Sequence, residues 1–262
     1  MLMAKIALVV FDWAGTTVDF GCMAPVAAFV EAFARHGVAV TVPQARQPMG
    51  LHKRDHIQAM LRMPEVAALW RAAHGRDASS TDVDTVYRDF VPRQMEVIDR
   101  HSELVPGLEA CIAALRSRGI KIGATTGYFR AAAERVYKLA RQQGYDPDYP
   151  LCAEDVPVGR PAPWMIFRIM EAADVYPPTR VVKVGDTVPD VEEGLNAGAW
   201  SVAVTQSSSE IGCTLEEWEK LTSDERQQKM GLARSKLLAA GAHHVIDSIA
   251  ELPELLCKIE AR

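Results

Sequence analysis

Apolar residues run without a break from Ile6 to Phe11 (IALVVF), and Asp12 ends the run. A short β-rich stretch with no polar position predicts a parallel strand covered on both faces. From Cys22 the spacing lengthens to that of a helix. In MAPVAAFVEAFARHG, residues Val26, Phe29, Val30 and Phe33 share one helical face, and Gly37 supplies a stop. Helical patterns continue over 53–63, 65–74 and 81–100, and only VAVTV at 38–42 reads as a strand among them. Past Val105 the chain alternates. A helix at 106–118 precedes a strand at 120–126, and a helix starts at Phe129. A short strand at 150–153 leads to a helix opening at Pro161, then a strand at 180–186 and a helix at 188–197. Strands at 200–205 and 243–247 close the series, and polar residues 206–230 read as a surface loop with an exposed helix.

Alternating strands and helices predict an α/β fold with a doubly wound, Rossmann-like parallel sheet. The expected organisation is a core of residues 1–20 and 100–262, with a helical domain at 21–99 inserted after the first strand. Ligands in such sheets bind beyond the carboxyl ends of the strands. An insertion leaving the first strand there would form a lid.

Composition changes this picture little but excludes some partners. A net charge of −5 argues against nucleic acid, whose phosphates select a basic face. Asp12 breaks the leading apolar run well short of membrane-spanning length, and no cleavage site follows it, so neither a membrane span nor a signal peptide is expected. Five cysteines without a CxxC pair suggest reduced thiols in a cytoplasmic protein.

Three predicted strands end in polar clusters: Asp12 in VVFDWAGT, Thr125 and Thr126 in IGATTGY, and Asp186 with Asp190 in VKVGDTVPD. A single aspartate after a strand is usually a helix cap. Three clusters converging on one sheet edge instead make a hard oxygen site suited to Mg²⁺. With Arg160 in VGRPAPW, these segments resemble, in order, the four motifs of the haloacid dehalogenase superfamily. The resemblance implies that family's core with an inserted α-helical cap. It implies a nucleophile at Asp12, phosphoryl contacts from Thr126 and Arg160, and amide donors from Trp13 and Ala14. Mg²⁺ would be held by Asp12, the Ala14 carbonyl and Asp186, with Asp190 and Thr187 behind them.

Most phosphatases of that superfamily carry an acidic residue two positions after the nucleophile, to protonate a leaving alkoxide. Here the position is Ala14. Loss of that acid costs about 10²–10⁴ in rate, so either the chain is a poor phosphatase or its leaving group is not an alkoxide. The insertion offers an electron sink. In MGLHKRDH, Lys53 and His56 stand i, i+3 on one helix face beside further cationic groups. A neutral lysine condenses with an aldehyde to an imine, which accepts the electrons of a breaking P–C bond.

DWAGT, MGLHKRDH and TTGY together resemble the superfamily's phosphonate-cleaving branch. That implies phosphonoacetaldehyde as substrate, acetaldehyde and phosphate as products, and a homodimer formed through the cap. It also implies Cys22, Met49, Gly50, Gly127 and Tyr128 around the substrate and proton handling by His56. Alternatives are a phosphomonoester phosphatase or phosphomutase, which Ala14 disfavours, and a non-catalytic phospho-ligand binder, which the presence of both Asp12 and Asp186 disfavours.

Overall fold

The computed structural model describes residues 5–261; the outermost parts of the expected core, 1–4 and 262, lie outside the described residues. The first strand, β1 (Leu8–Asp12), is buried along its whole length. Val9 and Phe11 face one apolar layer, and Leu8 and Val10 face the other. This two-sided burial is why no polar residue interrupts the run before Asp12.

Five helices follow: α1 (Ala24–Arg35), α2 (Val42–Arg46), α3 (Lys53–Arg62), α4 (Pro64–His74) and α5 (Ser80–Val97). α5 packs across α1 and α3, and Phe29 stacks on Phe90 at 4.3 Å between ring centres. The helices share a continuous apolar core with one face of the sheet, through Ala14, Cys22, Met49 and Tyr128. Two connections join them to the sheet and run side by side. The Asp19 N–H donates to the Glu103 carbonyl, and the Val105 N–H donates to the Thr17 carbonyl.

The remaining elements are α6 (Leu108–Ser117), β2 (Lys121–Thr126), α7 (Arg130–Gln142), β3 (Tyr149–Cys152), α8 (Trp164–Ala172), β4 (Val181–Gly185) and α9 (Val188–Asn196). They end with β5 (Trp200–Val204), α10 (Leu215–Lys220), α11 (Ser223–Ala239), β6 (His244–Ile246) and α12 (Leu252–Glu260). All six strands are parallel, in the order β3-β2-β1-β4-β5-β6. This is the doubly wound sheet the pattern predicts. The order reverses at β1, so Asp12 stands at the switch point, between the ends of β2 and β4.

Three local expectations are corrected. Residues 38–42 form no strand; Thr41 caps α2 by accepting the Gln44 N–H, and Pro43 lacks a ladder donor. The helix expected to open at Pro161 starts at Trp164, because Ala162 precedes Pro163 and is held out of helical geometry. The serines expected in a surface loop, Ser207 to Ser209, are buried. The Ser207 hydroxyl donates to the Gly15 carbonyl at 2.7 Å and the Ser209 N–H to Asp186 at 2.8 Å, which draws the segment beneath the β1 turn.

Candidate active site

Beyond Asp12 the chain curls tightly. The Trp13 carbonyl accepts the N–H groups of Thr16, Thr17 and Val18. Gly15 has φ +90°, and a Cβ there would stand 2.5 Å from an Asp186 oxygen. The turn therefore approaches the end of β4 only because this residue is glycine. The Trp13 indole, by contrast, is fully buried against Tyr137 and Tyr145, at 4.6 and 5.2 Å between ring centres. Its side chain is a core element, so any substrate contact from Trp13 falls to its backbone.

The carboxylates of Asp12, Asp186 and Asp190 converge, each offering an oxygen within 4.8 Å of the others. Asp186 accepts the Thr16 hydroxyl at 3.0 Å and the Ser209 N–H on its other oxygen. Burial, then the charges of Asp12 and Asp190, push its pKa well above the usual carboxylate range. Burial likewise raises Asp12 to about 6, with Asp190 adding to the rise and Arg160 opposing it. Asp190 differs. Burial would raise it, but Arg160 and Lys183 outweigh that and hold it below its ordinary value. Its Oδ1 meets both cations at 2.9 Å, and its Oδ2 accepts the Thr187 hydroxyl at 2.5 Å.

Arg160 connects these groups. Its Nη1 pairs with Asp12 at 2.7 Å, its Nε with Glu193 at 3.0 Å, and its Nη2 donates to the carbonyl and hydroxyl of Thr125. Burial works against its charge, but Asp190, Asp12 and Glu193 keep it firmly protonated. Lys183, wholly buried in β4, adds bonds to Thr125 at 2.9 Å and Glu193 at 3.3 Å. Sequence reasoning overlooked Lys183, Glu193 and Thr16. A lysine inside the apolar strand RVVKVG, and a glutamate one turn after Asp190, were the available signals.

The opposite wall comes from the helical insertion. Lys53 opens α3 and is only 3% exposed. Its Nζ lies 4.9 Å from the centre of the Tyr128 ring and 5.7 Å from that of Phe29. Burial lowers its pKa against the opposing pull of Cys22 and Asp12. His56, one turn on, stacks on Phe29 at 3.9 Å, and its Nε2 meets the Ala45 carbonyl at 2.9 Å. Burial, with Lys53 adding, drives its pKa well below the imidazole value, so it is neutral. With Nε2 donating, Nδ1 is an unpaired acceptor.

Asp12, Ala14, Cys22, Met49, Gly50, Lys53, Thr126, Gly127, Tyr128, Arg160 and Thr187 line one small cavity of about 20 Å³. Asp186 and Asp190 stand behind it, and His56 and the Trp13 side chain do not reach it. The Tyr128 N–H donates to the Thr126 hydroxyl, which fixes the turn after β2. A Cβ on Gly50 would lie 2.2 Å from the Thr187 hydroxyl, and one on Gly127 would lie 2.4 Å from the Leu51 carbonyl. Glycine at both positions lets the loop before α3 close directly on the sheet edge. Asp19, which the sequence did not single out, sits beside this wall. It accepts the N–H groups of Met23 and Ala24, and burial raises its pKa to about 7.

Four buried carboxylates, Asp12, Asp186, Asp190 and Glu193, face two cations, Arg160 and Lys183. The excess of carboxyl groups over cations, with the pKa values of Asp12 and Asp186 raised, and the hard oxygen donors fit a divalent cation such as Mg²⁺, which would favour the ionised forms.

Comparison with known proteins bears out the superfamily resemblance. A family model described as haloacid dehalogenase-like hydrolase matches residues 6–198, and a second, HAD-hydrolase-like model matches 157–252. The chain is 47% identical over 251 residues to a phosphonoacetaldehyde hydrolase of Syntrophobacter fumaroxidans, covering 96% of this chain and 91% of that one. It is 43% identical over 256 residues to the phosphonoacetaldehyde hydrolase of Bacillus cytotoxicus, covering 98% and 97%. The crystal structure of a phosphonoacetaldehyde hydrolase-like protein from Oleispira antarctica superposes with a TM-score of 0.97 at 38% identity, over 100% of this chain and 95% of that one.

Proposed function

This chain belongs to the phosphonoacetaldehyde hydrolases of the haloacid dehalogenase-like family, and from that premise we propose how its own residues split the carbon–phosphorus bond. The observation that carries the reading is the pairing of two unlike walls around one cavity. Lys53, with its pKa lowered by burial, faces Asp12, Thr126 and Arg160 across it, and Ala14 offers no acid.

The neutral Lys53 amine adds to the aldehyde carbon of phosphonoacetaldehyde, and loss of water gives a protonated imine. An Asp12 oxygen then attacks phosphorus. The P–C bond breaks, and its electron pair enters the imine to give an enamine, so no leaving oxygen needs a proton. Water hydrolyses the aspartyl-phosphate to phosphate. The enamine carbon gains a proton, and a second water releases acetaldehyde and restores the amine. His56, neutral and with Nδ1 unpaired, is assigned the relay of protons to and from Lys53. Because its ring lies outside the cavity wall, that relay runs through Lys53 or a water. Arg160 and Thr126 hold the phosphoryl oxygens, aided by the backbone of Trp13 and Ala14 and by Gly127. Cys22, Met49, Gly50 and Tyr128 shield the imine from bulk water.

Asp12, the Ala14 carbonyl and Asp186 would hold Mg²⁺, with Asp190 and Thr187 orienting them; when bound, the ion offsets the charge between anionic nucleophile and anionic substrate. Residues 21–99 act as a cap on the paired connections near 20 and 100. A cavity of about 20 Å³ holds about one water molecule, so substrate entry requires that cap to swing away. A homodimer through the cap and a cytoplasmic setting complete the proposal. Exposed Val42 and Leu69 support such a contact, although exposed Trp164, Phe167 and Tyr176 offer a rival surface on the core. The free cysteines support the setting. Among the described residues, no helix is long and apolar enough to cross a membrane.

Phosphorus NMR tests the reaction. Phosphonoacetaldehyde should convert to phosphate with equal release of acetaldehyde, and a chelator should stop it. Faster turnover of phosphate monoesters than of the phosphonate would reject this reading in favour of a phosphatase.

A further inference from the structure

Arg46 closes the short helix α2 of the insertion, and neither the apolar core nor the cavity includes it. A cation in a last helical turn ordinarily stays beside the carbonyls of its own helix. This one reaches out of the insertion instead. Its Nη1 donates to the Gly21 carbonyl at 2.7 Å and to the Ser209 carbonyl at 2.9 Å. The Cys22 carbonyl stands farther off, at 3.4 Å, and Nη2 meets the Met23 sulfur at 3.0 Å. These acceptors are all uncharged, so the half-buried guanidinium is fixing backbone here, not balancing a carboxylate.

The two nearer carbonyls belong to segments on which the catalytic turn depends. Gly21 lies on the first connection, with φ +78°, and a Cβ there would stand 2.1 Å from the Cys213 carbonyl. Its N–H donates to the Ser207 carbonyl at 2.8 Å. The connection is thus laid directly on segment 207–213. That segment in turn supports the sheet edge: the Ser207 hydroxyl donates to the Gly15 carbonyl, and the Ser209 N–H donates to Asp186. Ser209 therefore carries both contacts, Arg46 on its carbonyl and Asp186 on its N–H. Beside it, insertion and core are separated by a cleft of about 460 Å³, with Val42 and Gln47 on one side and Ile211 and Lys229 on the other. The cleft leaves little packing at this seam, and the hydrogen bonds of Arg46 span it.

We infer that Arg46 is a positioning residue that couples closure of the cap to the carboxylate of Asp186, through the two backbone groups of Ser209. With the cap closed, Arg46 pins the Ser209 carbonyl and so fixes the N–H of the same residue against Asp186. When the cap swings away, Arg46 travels with α2, the carbonyl is released, and Asp186 loses a fixed donor. A donor that orients a ligating carboxylate tunes the affinity for the metal it holds. By reciprocity, Mg²⁺ on Asp186 favours the closed cap as much as the closed cap favours Mg²⁺. The inference rests on the reading of Asp186 as an Mg²⁺ ligand and deepens it.

Isothermal titration calorimetry with Mg²⁺ alone tests it, on Arg46→Met, Arg46→Lys and the wild-type chain. Arg46→Met should bind Mg²⁺ about tenfold more weakly. Arg46→Lys, whose shorter ammonium reaches one carbonyl but not both, should fall between. Hydrogen exchange supplies a second readout, because the Ser209 N–H is itself the donor to Asp186. Mg²⁺ should slow exchange over 207–213 in the wild-type chain, and much less in Arg46→Met. Wild-type Mg²⁺ affinity in a folded Arg46→Met, or an equal effect of Mg²⁺ on exchange in both chains, would overturn the coupling. Should Arg46→Met fail to fold, wild-type affinity in Arg46→Lys would overturn it equally. Absence of Mg²⁺ binding to the wild-type chain would instead overturn the metal reading, and this inference with it.

Discussion

The two walls of the cavity are built on opposite principles. On the sheet edge, charged groups are partnered: Arg160 meets Asp12, Asp190, Glu193 and Thr125, and Lys183 meets three of the same four, Asp190, Glu193 and Thr125. On the insertion, Lys53 faces aromatic rings and His56 stacks on one. The difference matches the work each wall would do. A charged network fixes geometry and gathers anionic oxygens at a preset place. An apolar wall strips an amine of water and so favours its neutral, nucleophilic form. In the proposed reaction one wall would handle phosphorus and the other carbon.

The sharpest way to break this comparison is to remove one chemistry and leave the other. Asp12→Ala should reduce phosphonate turnover by about 10⁴-fold or more while circular dichroism shows an intact fold, and the imine should still form. Retained turnover would refute the assigned nucleophile. Lys53→Arg should lower P–C cleavage by about 10³-fold or more, since guanidinium keeps the charge but cannot form the imine. A near-normal rate there would overturn the division of labour.

Stability separates the walls as well. Lys183→Met leaves Asp190 and Glu193 with one fewer buried cation, and removing one partner of such a network costs about 3–5 kcal/mol. Urea unfolding should show that loss, and a change below about 1 kcal/mol would mean that the network is not the structural base of the phosphorus wall.

The smallest effect concerns Asp19, at the foot of the insertion. Its folded pKa, about 7, lies above the ordinary 3.8 because of burial. The folded state therefore holds its proton longer, and the cost of charging it grows as pH rises from near 4 to about 7. Asp19→Asn carries no such charge. Its melting temperature relative to wild type should climb across that interval and then level off, by roughly 2–4 °C for each kcal/mol. A flat difference would contradict the raised value.

The phosphorus wall was partly legible in the chain. Asp12, Thr126 and Asp186 follow strands or end them, and parallel strands deliver their ends to one edge whatever their distance in sequence. Arg160 stood out only through its motif. Lys183 did not stand out, because one lysine in an apolar strand gains meaning only when Asp190 and Glu193 are seen above it. The buried serines 207–209 read as a loop because polarity alone does not reveal a hydroxyl or amide turned inward to Gly15 and Asp186. On the insertion, i, i+3 spacing put Lys53 and His56 on one helix face. That spacing could not show that the His56 ring lies behind the cavity wall, stacked on Phe29. Val38 to Val42 misled for the reverse reason: alternation implies a strand only where a neighbour is present to pair with it.

The most direct measurement is peptide mass spectrometry of the enzyme reduced with borohydride during turnover of phosphonoacetaldehyde. An ethyl or phosphonoethyl group on Lys53, absent without substrate, is the expected result. An unmodified Lys53 in enzyme that is still releasing acetaldehyde and phosphate would contradict the account.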